Sequence, residues 1–224
     1  MPEVLIFILF GVLVIAGVIW GSIAARKRRE EMAVQAARLG LSFRAGHDRA
    51  LADGYSFLDK LRRGSNRYAF NIMEGAYQGH RVMVFDYHYE THSHSSKGGT
   101  QTHHHYFSFF ILLAPHPFPE LIIAPESLLS KIAQMVGYED IDFESAEFSR
   151  SFVVRSKDKR FAYDICNPKM MEYLLANRDL TLEFDGPAIA MAFTKRLAPA
   201  EIEYNLNRLV RVRSFVPEYL FDKH

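Results

Sequence analysis

The stretch VLIFILFGVLVIAGVIWGSIAA, Val4 to Ala25, carries no charged residue and limits what this chain can become more than any other feature. As a helix it is long enough to cross a hydrocarbon core of about 30 Å, with every backbone polar group satisfied internally. A secretory leader is the rival reading. It fits poorly, because Glu3 stands where a leader has Lys or Arg and no A-x-A site follows the run. The expectation is an uncleaved anchor. Arg26, Lys27, Arg28 and Arg29 follow at once, and a positive flank marks the cytoplasmic side. Residues 1–29 are therefore read as a transmembrane anchor with its basic flank, N-terminus outside. Residues 30–224 are read as one cytoplasmic domain. The single cysteine, Cys166, can form no internal disulfide, which agrees with a reducing compartment.

The basic run lies where anionic headgroups would be and also serves as a topology signal. A net charge of +1 leaves no broad basic field, so nucleic acid is not an expected partner. The bilayer is one. A second copy of the chain is another: Gly17 and Gly21 form a G-x-x-x-G extended by Ala25, a stripe that lets two helices approach closely.

Beyond the anchor, Glu30 to Leu39 has helical character, continues the membrane helix and stops at Gly40. Tyr68 to Glu90 is rich in aromatic and β-branched residues with a break at Gly75–Gly79, the pattern of two antiparallel strands. His103 to Ala114 and Leu121 to Ala124 read as further strands, and Phe148 to Arg155 as another. Leu180 to Phe184 and Ala188 to Phe193 read as a hairpin around Asp185-Gly186-Pro187. Helices are expected after Pro125, with Leu128, Leu129, Ile132, Ala133 and Val136 on one face, after Asn167-Pro168, and after Pro199. Strands in adjacent runs with helices between the groups imply an α+β fold with a mainly antiparallel sheet and several packed helices.

The segment DYHYETHSHSSKGGTQTHHH, Asp86 to His105, holds six of the ten histidines. On a strand, Met83, Phe85, Tyr87 and Tyr89 share one face, and Asp86, His88, Glu90 and His92 share the other. The returning strand has two registers. If paired residue numbers sum to 195, His88, Glu90, His92, His103 and His105 share a face, a donor set suited to zinc, nickel or copper. A sum of 196 brings only His104 to that face, beside Tyr106 and Ser108. A one-residue slip exchanges the two sets. The other readings are a solvated polar tip and a pH-sensitive or partner-binding surface. HYETH does not fit the H-E-x-x-H of a zinc protease, since Glu90 stands two places after His88.

The remaining candidates are weaker. No G-x-S-x-G, G-x-G-x-x-G or P-loop occurs. Cys166 precedes a helix start, where a thiol can be activated, but its apolar setting suits core filling better. Glu139, Asp140, Asp142, Glu144 and Glu147 form an acidic edge without the glycine of a calcium loop. Lys60, Arg62, Arg63 and Arg67 form a second basic group.

Two stretches carry a resemblance. One is Glu147, Phe148, Phe152, Val154, Asp158, Phe161, Ala162, Tyr163, Pro168, Met171 and Glu172. The other is the hairpin YQGHRVMVFDYHYETHS with QTHHHYFSFFIL. Together they resemble a bacterial family of membrane-anchored proteins with a cytoplasmic domain of unknown function. The resemblance implies a bacterial inner-membrane protein and supplies no catalytic or cofactor residues. It also implies that the histidine-rich tip is a local elaboration. The leading functional expectation is a non-enzymatic interaction or scaffold module with an unidentified protein partner. A metal-binding or metal-responsive domain is the second, and a hydrolase with an unrecognised site is the third.

Overall fold

The apolar stretch is only the first part of a longer helix. In the computed structural model, which describes residues 2–94, 99–128, 141 and 143–222, α1 spans Pro2–Arg38 without a break. Its segment Leu9–Arg38 contains a window apolar enough to cross a membrane, and that window is unburied. Gly17 and Gly21 face open space. Past the basic run the same helix enters the core, where Met32 and Ala36 are fully buried. It stops where the sequence implies. Gly40 takes a left-handed φ of 70°, Gly40 N–H bonds Ala37 O at 3.2 Å and Leu41 N–H bonds Ala36 O at 2.9 Å. That paired closure is the Schellman arrangement.

The chain continues through β1 (Ser42–Arg44), α2 (Arg49–Gly54), α3 (Asp59–Arg62), β2 (Ser65–Tyr77), β3 (His80–His94) and β4 (Thr100–Pro125). After a 3-10 turn at Glu126–Leu128 come α4 (Ala146–Ser151), β5 (Phe152–Ser156), α5 (Lys159–Ile165), α6 (Pro168–Ala176), β6 (Thr181–Ala192) and α7 (Ile202–Phe215). The strands form one sheet in the order β1-β2-β3-β4-β5, with β6 also on β4, and every pairing is antiparallel. The fold is α+β with an N-terminal apolar helix, as the patterning implies. β2 and β3 meet in a two-residue loop, Gln78-Gly79, both at positive φ, the geometry whose twist matches a hairpin.

Three element assignments change. The strands expected at His103–Ala114 and Leu121–Ala124 are one strand, β4, carried through Pro115, Pro117 and Pro119. The hairpin expected at Leu180–Phe193 is likewise one strand, β6, kinked at Gly186 with φ 49°. The two irregularities face each other: Phe118 pairs Gly186, and the register shifts on both sides of Phe118. The prolines sit where the ladder is already interrupted, so their missing N–H groups cost little. The segment from Phe148 begins as helix α4 and becomes strand only at Phe152, because the Ser145 side chain caps α4 by accepting from Phe148 N–H. Most of the helix expected after Pro125 lies outside the described residues.

Helices cover both faces of the sheet. Met32, Ala36, Phe148, Phe161, Met170, Leu174, Leu206 and Leu209 pack with Val82, Val84, Phe110 and Leu112 on one face. Ala52, Leu58 and Leu61 pack with Phe85, Tyr87, Phe109 and Ile111 on the other. The alternation read for β3 therefore holds: its even-numbered residues face α1 and its odd-numbered residues face α2 and α3.

Candidate functional site

Asp86 interrupts an apolar strand, and its carboxylate is completely buried. Such a charge is tolerable only when paired and hydrogen-bonded. Arg28 supplies both: Nε donates to Oδ2 at 2.8 Å and NH2 to Oδ1 at 2.7 Å. Asn71 Nδ2 donates to Oδ2 at 2.9 Å and Ser108 Oγ to Oδ1 at 3.1 Å. Arg28 NH1 donates onward to Leu197 O at 2.8 Å, and Leu197 N–H donates to Ser108 Oγ at 2.9 Å. One network thus joins the basic flank of the anchor to β2, β3, β4 and the segment before α7. Within the basic run, Arg26 and Lys27 make only exposed pairs, with Glu30 and Glu31. Arg28 alone turns inward.

This junction fixes a direction. α1 passes Asp86 at Arg28 and ends at Arg38, and its Gly40–Leu41 closure leads straight into β1, which pairs Glu74, itself opposite Met83. Along β3 the helix therefore runs from Asp86 toward Met83. The histidine-bearing end of the hairpin runs the other way, toward the side from which the apolar segment comes. His94 lies eight residues past Asp86, about 26 Å at 3.3 Å per residue.

The register along that hairpin sums to 194: Asp86 pairs Ser108, His88 pairs Tyr106, Glu90 pairs His104 and His92 pairs Thr102. This corrects the five-residue donor set. His88, Glu90 and His92 share a face as read, but His103 and His105 are on the opposite face, and His104 takes their place. His105 stacks on Tyr89 at 4.5 Å and shares a hydrogen bond with Thr91 Oγ1 at 2.8 Å. His103 bonds Ser93, His92 bonds Ser65 and Thr102, and His94 bonds Thr100. Four of the six histidines are thus satisfied by hydroxyl partners on the ribbon.

His88 and His104 differ. His88 Nε2 lies 3.1 Å from His104 Nδ1, His104 Nδ1 lies 3.4 Å from Glu90 Oε1, and His88 Nε2 lies 4.0 Å from Glu90 Oε1. Asn66 holds two of the three: its carbonyl accepts from His88 Nδ1 at 3.0 Å and its amide donates to Glu90 Oε1 at 2.6 Å. Gly64 lets β2 start close to this point, since a Cβ there would lie 2.2 Å from Glu90 O. Below the cluster, Tyr68 stacks on His88 at 4.5 Å and His47 on Tyr68 at 4.0 Å. Burial lowers the His88 pKa, against the Asn66 carbonyl, and pushes the Tyr68 hydroxyl up to about 12. The Asn66 amide, ahead of the neighbouring imidazoles, holds the Glu90 carboxyl below its ordinary range.

The other candidates are placed as follows. Cys166 is a buried free thiol whose pKa burial raises, so it is core filling. Arg63 and Arg62 pair with Asp59, and Arg67 with Asp53. Glu147 makes an exposed pair with Arg178. Glu139, Asp140 and Asp142 lie outside the described residues. Two groups escaped the sequence reading: Asp86 as the receptor for Arg28, and Glu183, buried beneath α3, which accepts from Asp59 N–H.

No protein-family model and no curated protein matches the chain. Among solved structures it is similar to the crystal structure of the mycobacterial trehalose monomycolate transport factor A, TtfA. The TM-score is 0.62 at 12% identity, covering 86% of this chain and 97% of that one. The two share a fold.

Proposed function

We propose that this chain is a single-pass protein of a bacterial inner membrane, N-terminus outside. Its cytoplasmic domain is a non-enzymatic interaction module that serves a membrane-embedded partner. The observation that carries this reading is the junction at Arg28. A module that only needs to be kept near a membrane is served by a flexible linker. Here the apolar helix continues unbroken into the core, and Arg28 locks it to a buried carboxylate. The domain is thereby held at one angle to its anchor, which suits a partner whose own docking surface is fixed in the bilayer. Ala25 is only three residues, about 4.5 Å, before Arg28, so the Arg28–Asp86 junction then stands at the headgroup layer. The fold shared with a protein described as a transport factor supports an accessory role in membrane transport; that protein's cargo is not carried over.

A flexible Gly-Ser insertion between Ala25 and Arg26 tests the reading, because it frees the angle and leaves the Arg28–Asp86 lock intact. Photo-crosslinkers on the exposed hairpin of the native chain are expected to trap an integral membrane protein as a discrete adduct. The insertion is expected to abolish that adduct while the domain stays folded. An adduct that survives the insertion unchanged would show that orientation is irrelevant and defeat the proposal.

A further inference from the structure

We propose that His88 Nε2, His104 Nδ1 and Glu90 Oε1 form a binding site for a late first-row divalent metal ion, with zinc the cation its donors fit best. The three donor atoms lie at the corners of a triangle with sides of 3.1, 3.4 and 4.0 Å. The point equidistant from those corners is about 2.1 Å from each, the length of a zinc bond to imidazole nitrogen or carboxylate oxygen. No rearrangement of the strands is needed to seat the ion.

The surroundings prepare the donors. A ligating histidine ordinarily gives its other ring N–H to a carbonyl, which fixes the tautomer. His88 Nδ1 does this to Asn66 O and leaves Nε2 aimed at the cluster. The Asn66 amide orients Glu90 in the same way. The donors and their support lie on the sheet: Asn66 sits in a bulge of β2, His88 and Glu90 belong to β3, and His104 belongs to β4, where it directly pairs Glu90. Tyr68 stacks on the His88 ring and Tyr106 lies tilted against it at 4.7 Å, which together hold its orientation. Without an ion, the His104 Nδ1–H to His88 Nε2 hydrogen bond joins the rings. With one, His104 carries its proton on Nε2.

The donor chemistry narrows the ion. Two imidazoles and one carboxylate suit zinc, nickel and copper; magnesium and calcium demand oxygen shells, and copper(I) and iron–sulfur clusters favour thiolates. Exposure describes the open side: the His88 side chain is 2% exposed, Glu90 15% and His104 53%. Three protein ligands close the inner side and leave an outward position for water or a donor from a partner.

The test is calorimetric titration of the full chain, in detergent micelles and without a histidine tag, with zinc chloride. One ion per chain is expected, with Kd tighter than about 1 μM. His104→Ala, at an exposed position that leaves the core alone, should weaken binding at least about 100-fold. Asn66→Gly, which keeps the positive φ and removes the amide, should weaken it about 10–100-fold. The double variant His103→Ala/His105→Ala, on the other face, should bind as the native chain does. Cobalt(II) should give visible absorption that is absent in His104→Ala. Native binding weaker than about 10 μM, or binding lost with His103 and His105 but kept without His104, would overturn the proposal and leave the histidines as a polar ribbon.

Discussion

Replacing Arg28 with alanine strips the Asp86 carboxylate of two of its four hydrogen bonds and of its only cationic partner among the described contacts. Asn71 and Ser108 still donate, but the charge is left buried without compensation. Breaking a buried ion pair from one side costs about 3–5 kcal/mol. The lost bond to Leu197 O also loosens the segment before α7. Exposed pairs in the same helix give the contrast. Arg26–Glu30 has both side chains more than half exposed, so Glu30→Ala should change stability by about 0.5 kcal/mol or less. The assay is urea unfolding of the full chain in micelles, followed by the circular dichroism of the sheet. The single tryptophan, Trp20, sits in the apolar segment and does not report on the domain. A double-mutant cycle with Asp86→Ala should show the two losses to be non-additive by about 2–3 kcal/mol. A loss below about 1 kcal/mol for Arg28→Ala, or additive losses, would mean that Asp86 does not depend on Arg28 for its charge.

Three further outcomes follow from the structure. Burial pushes the Glu183 carboxyl up to about 8, against the Asp59 N–H bond and with Asp59, Asp185 and Glu120 adding repulsion. An unfolded glutamate ionises near pH 4.3, so the folded state holds the extra proton. Stability is then full below about pH 4 and falls as pH rises toward about 8. Urea midpoints at the two ends of that window should show Glu183→Gln losing the pH dependence that the native chain has, on the order of a few kcal/mol. Gly64→Ala puts a Cβ 2.2 Å from Glu90 O at a φ of 66°, so thermal unfolding should show a loss of about 2 kcal/mol or more. Asn167 caps α6 by accepting from Met170 N–H and also donates to Phe215 O at 2.9 Å; Asn167→Ala should lower stability by about 1–2 kcal/mol in the same measurement.

Much of this architecture was legible because the signals are local. The run Val4–Ala25 has no charge, Gly40 ends its helix, and β3 alternates strictly from Phe85 to Glu90. Proline misled at β4: Pro115, Pro117 and Pro119 look like a loop, but the bulge that accommodates them depends on the kink at Gly186 in a neighbouring strand. Register was the larger loss. A strand's own sequence gives the parity of its faces, whereas its pairing is chosen by the partner and the core. A signal was nonetheless present. Asp86 is the only charge in RVMVFDY after Arg81, and Ser108 is the only polar residue in YFSFFILLA after its tyrosine. Pairing those two gives the observed sum of 194 and places His104, not His103 or His105, beside Glu90. Arg28 was legible only as a topology signal, because its partner is 58 residues away and no local pattern links them.

The unbroken α1 and the Arg28–Asp86 lock make the apolar helix and the domain one rigid unit, which a distance measurement tests directly. Spin labels at Ser22→Cys on α1 and Lys169→Cys on α6 would be placed on the full chain in lipid nanodiscs; both sites are exposed, and Cys166 is buried away from the label. Dipolar spectroscopy should give a single narrow distance distribution for the native junction and a broad one for Arg28→Ala. A broad or multiple distribution in the native junction would mean that the domain swings on its anchor and presents no fixed face.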